Sequence, residues 1–146
     1  ELASDSGAVE IEHARLRRRG GAVSLVCYGG TLDKTLEAAE TLAAEGIEAD
    51  VLDLRVLGPL DEAAILETVS RTHRLVIVDE GWRSGSLSAE VAARVAERAF
   101  YELDAPIRRV CSAEVPIPYP KHLEDAALPQ PAAIVAAVRE LLGANG

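Results

Sequence analysis

Two adjacent carboxylates, Asp79 and Glu80, are the first residues in this chain whose types and position suggest chemistry. They follow a short apolar run, 75–78, and precede a loop over 81–85 that contains two glycines. Two carboxylates can divide acid and base work when both point into one site. Neighbouring residues at a strand end point in different directions. The pattern therefore favours solvation, or charge at a helix N-terminus, over catalysis.

The other reactive residue types lack the partners that they would need. A serine nucleophile requires an adjacent base, and no nucleophile-elbow pattern surrounds Ser84, Ser86 or Ser88. Neither Cys27 and Cys111 nor the three histidines have metal-ligand spacing. Both cysteines adjoin apolar runs, which predicts small buried side chains in a reducing compartment. We therefore expect no catalytic residue and no metal site in this chain.

A glycine-rich turn, Gly29-Gly30-Thr31, lies between a predicted strand and a predicted helix. Free backbone amides at such a turn can bind an anion. However, the turn matches neither the dinucleotide fingerprint nor the phosphate-loop pattern. A plain tight turn is favoured, and phosphate binding is the alternative.

The elements that position these groups alternate between strand-like and helix-like patterns. Strands are predicted at 9–19, 23–28, 47–54, 75–78 and 107–111, the last at a sheet edge because it holds two arginines. Helices are predicted to begin near Leu32, at the Asp61 cap, at a cap on Ser86 or Ser88, and at Ala132. The alternation predicts an α/β domain with a mainly parallel sheet and helices on both faces.

Two segments carry more specific expectations. Ala89, Ala92, Ala93 and Ala96 form a narrow helical face, which predicts close packing of that helix on the sheet. The segment 114–131 holds five prolines among apolar residues and is predicted to be an ordered loop.

Composition limits the possible partners. The chain has 146 residues and a formal charge of −9, which argues against nucleic acid or an anionic membrane as the main partner. No apolar run approaches the roughly 20 residues of a membrane span, and no signal-peptide pattern opens the chain. We therefore expect a cytoplasmic location. Methionine is absent, so we expect a piece of a longer protein, with a loose segment at 1–8, a domain over 9–142 and a tail at 143–146.

The loop after the carboxylate pair carries the only tryptophan, Trp82. A loop tryptophan is more often an anchor for a partner than a solvated residue. Glu80, Trp82 and Arg83 are therefore predicted to form a contact surface between subunits. The alternative is that Gly81 and Gly85 merely turn the chain.

Several short segments recur here in a characteristic order, from about residue 9 to residue 142. They are VSLVCYG at 23–29, TLEAAETL at 35–42, GIEADVLDLRVLGP at 46–59, LDEAAI at 60–65, VDEGWRSGSLSAEVAA at 78–93, LDAP at 103–106 and VPIPY at 115–119. Together they resemble the C-terminal domain of the transketolase group. The resemblance is greatest to the beta subunit of thiamine diphosphate-dependent 2-oxo acid dehydrogenases, pyruvate dehydrogenase above all.

This resemblance implies a three-layer α/β/α domain whose five-stranded, mainly parallel sheet has an antiparallel first strand. It implies that thiamine diphosphate and Mg²⁺ belong to the intact enzyme, between an alpha subunit and the other domain of the beta subunit. The domain itself would then be inactive alone. It would form contacts with the alpha subunit or domain and with a second beta subunit.

The resemblance also implies docking of the acyltransferase through its small, basic subunit-binding module, a partner that suits a charge of −9. It places Asp104 and the chain end on that docking face. Two alternatives stay open. One is the C-terminal domain of a transketolase-like enzyme that acts on a ketose or feeds an acyl carrier protein. The other is a stand-alone α/β ligand-binding module that uses the Gly29 turn or the Gly81 loop.

Overall fold

The computed structural model describes residues 12–143, in which strands and helices alternate. The strands are β1 (Arg15–Arg18), β2 (Val23–Cys27), β3 (Ala49–Asp53), β4 (Leu75–Trp82) and β5 (Arg108–Ser112). The helices are α1 (Leu32–Ala44), α2 (Glu62–Thr72), α3 (Leu87–Ala99), α4 (Lys121–Ala127) and α5 (Pro131–Gly143), with 3₁₀ turns at Gly29–Thr31 and Phe100–Glu102. The predicted loose segment, the start of the predicted first strand and 144–146 of the predicted tail lie outside the described residues.

The five strands form one sheet in the order β1-β3-β2-β4-β5. β1 runs antiparallel to β3, and the other neighbouring pairs are parallel. The predicted fold class, its antiparallel first strand and the position of β5 as an outermost strand of the sheet are confirmed. We call the end of the sheet where β2 to β5 finish its carboxyl edge, and the opposite end its amino edge.

Helices cover both faces of the sheet and give the three layers. Val23, Leu25 and Cys27 of β2 point into a core shared with α1 and α5. Val26 of the same strand points to the other face, where α2 and α3 supply Ile65 and other buried residues. Both faces of β2 and β3 are buried, which explains their apolar runs without alternation.

A buried carboxylate, Asp50, joins three elements, and no sequence pattern predicted it. Its oxygens accept hydrogen bonds from the backbone N–H of Gly20 at 2.6 Å and the hydroxyl of Thr68 at 2.6 Å. The guanidinium of Arg71 also contacts it. The Ser24 hydroxyl lies 2.8 Å from the Thr68 hydroxyl. This network ties the β1–β2 turn, β3 and α2 together, because a buried charge must keep its partners.

The predicted end of the fourth strand at residue 78 is wrong, because β4 continues to Trp82. Asp79 pairs with Cys111 and Trp82 pairs with Ser112, so the register shifts between these two pairs. Glu80 and Gly81 are therefore extra residues on β4. A bulge of this kind lets a strand bend and re-aim its side chains without ending.

The predicted loop at 114–131 contains the short helix α4. Only Ala127 of this helix is buried, so no apolar period marked it. Pro120 occupies its N-cap position, and Lys121 lies within ion-pair distance of Glu124 and Asp125. These i,i+3 and i,i+4 ion pairs support the helix locally.

The predicted alanine face of the third helix is also wrong. Val91 and Val95 of α3 are buried against the sheet, whereas Ala96 is exposed. Valine side chains bury more apolar area than alanine side chains, so the helix face that contains Val91 and Val95 packs against the sheet.

Two adjacent glycines in the β1–β2 turn give a matched test of packing. A Cβ on Gly20 would lie 2.4 Å from the backbone carbon and oxygen of Glu48, whereas a Cβ on Gly21 would meet nothing within 4 Å. We expect Gly20→Ala to lower the free energy of unfolding by about 1–3 kcal/mol or more. Gly21→Ala should change it by under about 0.5 kcal/mol. Urea denaturation followed by circular dichroism measures both, and equal effects would contradict the contact.

Candidate functional site

The strand order reverses direction between β2 and β4. β2 connects through α1 to β3 on one side, and β3 then connects through α2 to β4 on the other. In open α/β sheets, ligands bind in the crevice at the carboxyl ends of the strands on either side of such a reversal. In this chain the crevice lies between residues 28–31 and residues 79–81. The predicted carboxylate pair and the predicted glycine turn therefore face each other.

Asp79 closes the inner part of this crevice. Its side chain is fully buried and accepts hydrogen bonds from the Tyr28 hydroxyl and from the backbone N–H of Gly81 at 2.7 Å. Its other oxygen accepts from the backbone N–H of Ser88 at 2.8 Å. Ser86 occupies the N-cap position of α3 but makes no side-chain capping bond. The first turn of α3 was predicted to be capped by Ser86 or Ser88, but its acceptor is the carboxylate of Asp79. The predicted role of Asp79 as a charge at a helix N-terminus is confirmed.

These hydrogen bonds decide the charge state of the Asp79–Tyr28 pair. Burial raises the pKa of the Asp79 carboxyl, but the hydrogen bonds from Tyr28, Ser86, Gly81 and Ser88 outweigh it, so this pKa lies below its usual value. Burial, followed by the hydrogen bond to Asp79, raises the pKa of the Tyr28 hydroxyl. At neutral pH the pair is a carboxylate and a neutral phenol, which suits a structural hydrogen bond.

Glu80 closes the outer part of the crevice. Its side chain is exposed, and one oxygen accepts a hydrogen bond from the backbone N–H of Gly30 at 3.2 Å. A Cβ on Gly29 would lie 2.9 Å from the other carboxylate oxygen, and Gly29 has a φ of +56°. The chain's own carboxylate thus occupies the place that a bound anion would take. This arrangement favours the tight turn over phosphate binding, because a phosphate would meet like charge.

Beyond the crevice, the segment after β4 is fastened to the segment after β5. The indole Nε1 of Trp82 donates to the backbone carbonyl of Val115 at 3.1 Å. The hydroxyl and backbone N–H of Ser84 both donate to Glu114, at 2.7 and 3.0 Å. The Ser112 hydroxyl donates to the backbone carbonyl of Glu80 at 2.7 Å. The two segments therefore act as one unit.

Arg83 adds a reciprocal pair of hydrogen bonds to this unit. Its guanidinium donates to the backbone carbonyl of Arg109 at 3.0 Å, and Arg109 donates to the carbonyl of Arg83 at 3.0 Å. Arg83 thus remains largely exposed while its loop is held in place. The structure brings the predicted contact residues Glu80, Trp82 and Arg83 together at the carboxyl edge.

Trp82 is 47% exposed, and several apolar side chains of the segment that follows β5 are exposed as well. Sequence analysis had identified only Trp82 as a contact residue and had taken Val115, Ile117, Tyr119 and Leu123 as apolar anchors of an ordered loop. That interpretation is wrong for these four residues, because their side chains are exposed.

Asp104 lies at the opposite end of the sheet. Its backbone N–H donates to the carbonyl of His73 at 2.8 Å, and His73 immediately follows α2 at the amino edge. Its carboxylate is 55% exposed and lies 3.7 Å from the guanidinium of Arg74. The predicted exposure of Asp104 is confirmed. The structure separates it from Glu80, Trp82 and Arg83.

An apolar groove lies beside Asp104, and sequence analysis missed it. The groove has a volume of about 680 Å³ and lies between α3, the 3₁₀ turn at Phe100–Glu102 and the segment before β5. Phe100 and Tyr101 form an edge-to-face pair there, with ring centroids 5.4 Å apart. We call it the amino-edge groove; with Asp104 at its rim, it is lined chiefly by Ala92, Ala96, Phe100, Leu103, Pro106 and Ile107.

Within residues 12–143, no group of three or more histidine, cysteine or acidic side chains could hold a metal ion. The one glycine turn at the switch point faces Glu80, which would repel a diphosphate. Burial raises the pKa of Cys27 to about 12, so its thiol is not an activated nucleophile. No helix in the described part of the chain is long and apolar enough to cross a membrane.

The chain is thus a three-layer α/β domain with an antiparallel first strand and a switch-point crevice closed by its own carboxylates. Residues 12–134 match the family model described as transketolase, C-terminal domain. The chain belongs to this family.

The relatives agree with the resemblance found in the sequence. Over 137 residues the chain is 42% identical to the pyruvate dehydrogenase E1 component subunit beta, mitochondrial, of Dictyostelium discoideum, covering 94% of this chain and 38% of that protein. Over 143 residues it is 42% identical to the acetoin:2,6-dichlorophenolindophenol oxidoreductase subunit beta of Bacillus subtilis, covering 98% and 42%. The predicted relationship to the C-terminal domain of such beta subunits is confirmed. The chain spans about two fifths of the length of these relatives.

A solved structure supports the same fold. The chain superposes on a split gene transketolase, described as an inactive beta4 tetramer, with a TM-score of 0.81 and 29% identity, covering 98% of this chain and 45% of that one.

The hydrogen bonds to Asp79 predict a pH-dependent contribution to stability. A lowered pKa means that the stabilisation is complete above the unfolded pKa of about 3.9 and is lost as pH falls through the folded value. At neutral pH we expect Asp79→Asn to lower the free energy of unfolding by about 1–3 kcal/mol. The difference from the unsubstituted chain should shrink in acid. Denaturant titrations across pH test this, with Glu80→Gln as an exposed control that should cost under about 0.5 kcal/mol.

Proposed function

We propose that this chain is the non-catalytic assembly and partner-docking domain of the beta subunit of a thiamine diphosphate-dependent 2-oxo acid dehydrogenase, with pyruvate as the favoured substrate. The observation that carries the proposal is the closed crevice. Asp79 and Glu80 occupy the position where an α/β domain ordinarily binds a ligand. The exposed apolar surfaces lie instead at the two edges of the sheet, as a domain that makes contacts requires.

Under this proposal the cofactor belongs to the rest of the enzyme. Thiamine diphosphate and Mg²⁺ bind outside this domain, and the domain alone decarboxylates nothing. The relatives named above are designated beta subunits, which supports contacts with an alpha subunit and with a second beta subunit. One of them is designated mitochondrial, and a cytoplasmic location for this chain stays a prediction.

The amino edge is the proposed docking face for the acyltransferase. Asp104 lies at the rim of the amino-edge groove, so a charge and an apolar surface adjoin there. Arg139 of α5 donates to Glu45 at the end of α1 at 3.1 Å, so α5 also runs toward this edge. A small basic module fits such a face, because a chain of charge −9 attracts it and Asp104 can pair with one of its cations.

A second candidate function is a transketolase-like enzyme that acts on a ketose or feeds an acyl carrier protein. The superposition on a split gene transketolase favours it. A stand-alone ligand-binding module gains no support, because the Gly29 turn faces Glu80.

The intact enzyme distinguishes the two candidates. We expect the subunit containing this chain, assembled with its alpha subunit and supplied with thiamine diphosphate and Mg²⁺, to oxidise pyruvate with an artificial electron acceptor. Transfer of a two-carbon unit from a ketose without pyruvate oxidation would favour the second candidate instead.

The isolated chain should bind no thiamine diphosphate. Glu80 faces the switch-point turn, and no metal-binding cluster lies within residues 12–143. Titration calorimetry with thiamine diphosphate and Mg²⁺ should show no saturable heat. One-site binding in the micromolar range would refute the assignment of the cofactor to other domains.

Asp104→Asn should weaken docking without unfolding the domain. The carboxylate is exposed, so its loss should change stability by under about 0.5 kcal/mol. Loss of a desolvated charge pair should cost roughly 1 kcal/mol or more of binding free energy to the acyltransferase module. Surface plasmon resonance at two salt concentrations measures this. Glu40→Gln, which removes an exposed charge from α1, is the matched control and should bind normally. Equal affinities for Asp104→Asn and Glu40→Gln would remove Asp104 from the docking face.

A further inference from the structure

The aromatic wall of the amino-edge groove is the 3₁₀ turn at Phe100–Glu102. Phe100 is 63% exposed and Tyr101 is 98% exposed, so burial does not hold either ring in place. Within the turn, the backbone N–H of Leu103 donates to the carbonyl of Phe100 at 3.3 Å, which is a long hydrogen bond. The position of the two rings therefore depends on contacts from outside the turn.

His73, which follows α2, supplies two contacts of this kind. The imidazole Nδ1 lies 2.7 Å from the backbone carbonyl oxygen of Glu102. A carbonyl oxygen can only accept, so Nδ1 carries a proton and donates it to this bond. The backbone carbonyl of His73 accepts the N–H of Asp104 at 2.8 Å. His73 thus holds the chain on both sides of Leu103, once through its side chain and once through its backbone.

The backbone conformation of His73 is costly for a histidine. Its φ of 57° lies in the left-handed region, where a helix usually ends on glycine or asparagine. Its N–H donates to the carbonyl of Val69 at 2.8 Å, which closes the last turn of α2. Helix geometry alone would be served by glycine here. The feature that glycine would lack is the imidazole bond to Glu102, so this bond is the candidate reason for a strained side chain.

We infer that His73 is a positioning residue of the docking face, whose imidazole fixes the aromatic wall of the amino-edge groove before the acyltransferase module binds. The inference rests on the proposed function, under which this groove and Asp104 receive that module. Arg74, the next residue, lies 3.7 Å from the carboxylate of Asp104, so one short turn adjoins both the apolar and the charged part of the face. A partner that meets an ordered wall loses less conformational entropy on binding.

Two substitutions separate the imidazole hydrogen bond from the backbone geometry. His73→Asn keeps an N–H donor two bonds from Cβ, as Nδ1 is, and asparagine tolerates the left-handed region. His73→Gly suits the same backbone but has no donor. Both substitutions remove the ring and any direct contact that it makes with a partner. A difference between the two variants therefore reports on the hydrogen bond.

Both variants are made in the intact beta subunit, assembled with its alpha subunit. Hydrogen–deuterium exchange of residues 100–104 should be faster in His73→Gly than in His73→Asn, which should match the unsubstituted enzyme. Titration calorimetry with the acyltransferase's subunit-binding module should show unchanged affinity for His73→Asn and about 3- to 10-fold weaker affinity for His73→Gly. Both variants should melt within about 3 °C of the unsubstituted enzyme, because both residues suit the backbone.

Equal exchange of residues 100–104 in the two variants would overturn the inference. Equal affinity of the two variants would also overturn it, and an equal loss in both would mean that the ring contacts the partner directly. If the unsubstituted enzyme binds no module, the proposed docking face is refuted and the inference falls with it. If the unsubstituted enzyme binds and the two variants bind alike, the inference alone is refuted.

Discussion

The buried carboxylate of Asp79 is the interaction on which the carboxyl edge of this domain depends. It joins β4 to the side chain of Tyr28 at the end of β2 and to the first turn of α3 through Ser88. A buried charge is stable only when its hydrogen-bonding partners stay in place. Three elements are therefore fixed relative to one another by one side chain. The bulge that follows, and with it the direction of Trp82, starts from that fixed point.

The same bulge closes the crevice and leaves Trp82 partly exposed. With two extra residues on β4, Glu80 faces the glycine turn after β2, while Trp82 still pairs with Ser112 at the end of the strand. The ligand crevice is thus closed from within, while an aromatic side chain is presented outward. Without the register shift between Asp79 and Trp82, Glu80 and Gly81 would pair with β5 in the ordinary way. The fold common to many ligand-binding domains is here used with its usual ligand position filled.

Each end of the sheet presents charged and apolar side chains together. The amino edge combines Asp104 with an open apolar groove, which favours a partner that binds through charge as well as burial. The carboxyl edge has the partly exposed Trp82, whose indole is held by its hydrogen bond to Val115. A single domain can hold two neighbours at once because a parallel sheet has two different ends. This arrangement is the structural basis of the assembly role that we propose.

The sequence by itself determined the fold class, because apolar runs such as Val23 to Tyr28 and the glycine-bounded helices are local patterns. It also determined the family, through the order of its segments. The Asp61 cap was predictable for the same local reason. Only the tertiary structure decided that Asp79 replaces a serine cap, since the acceptor comes from nine residues earlier in the chain. Tertiary packing likewise chose the valine face of α3 and formed the groove beside Asp104. Such features depend on which distant surfaces meet, and no local periodicity records that.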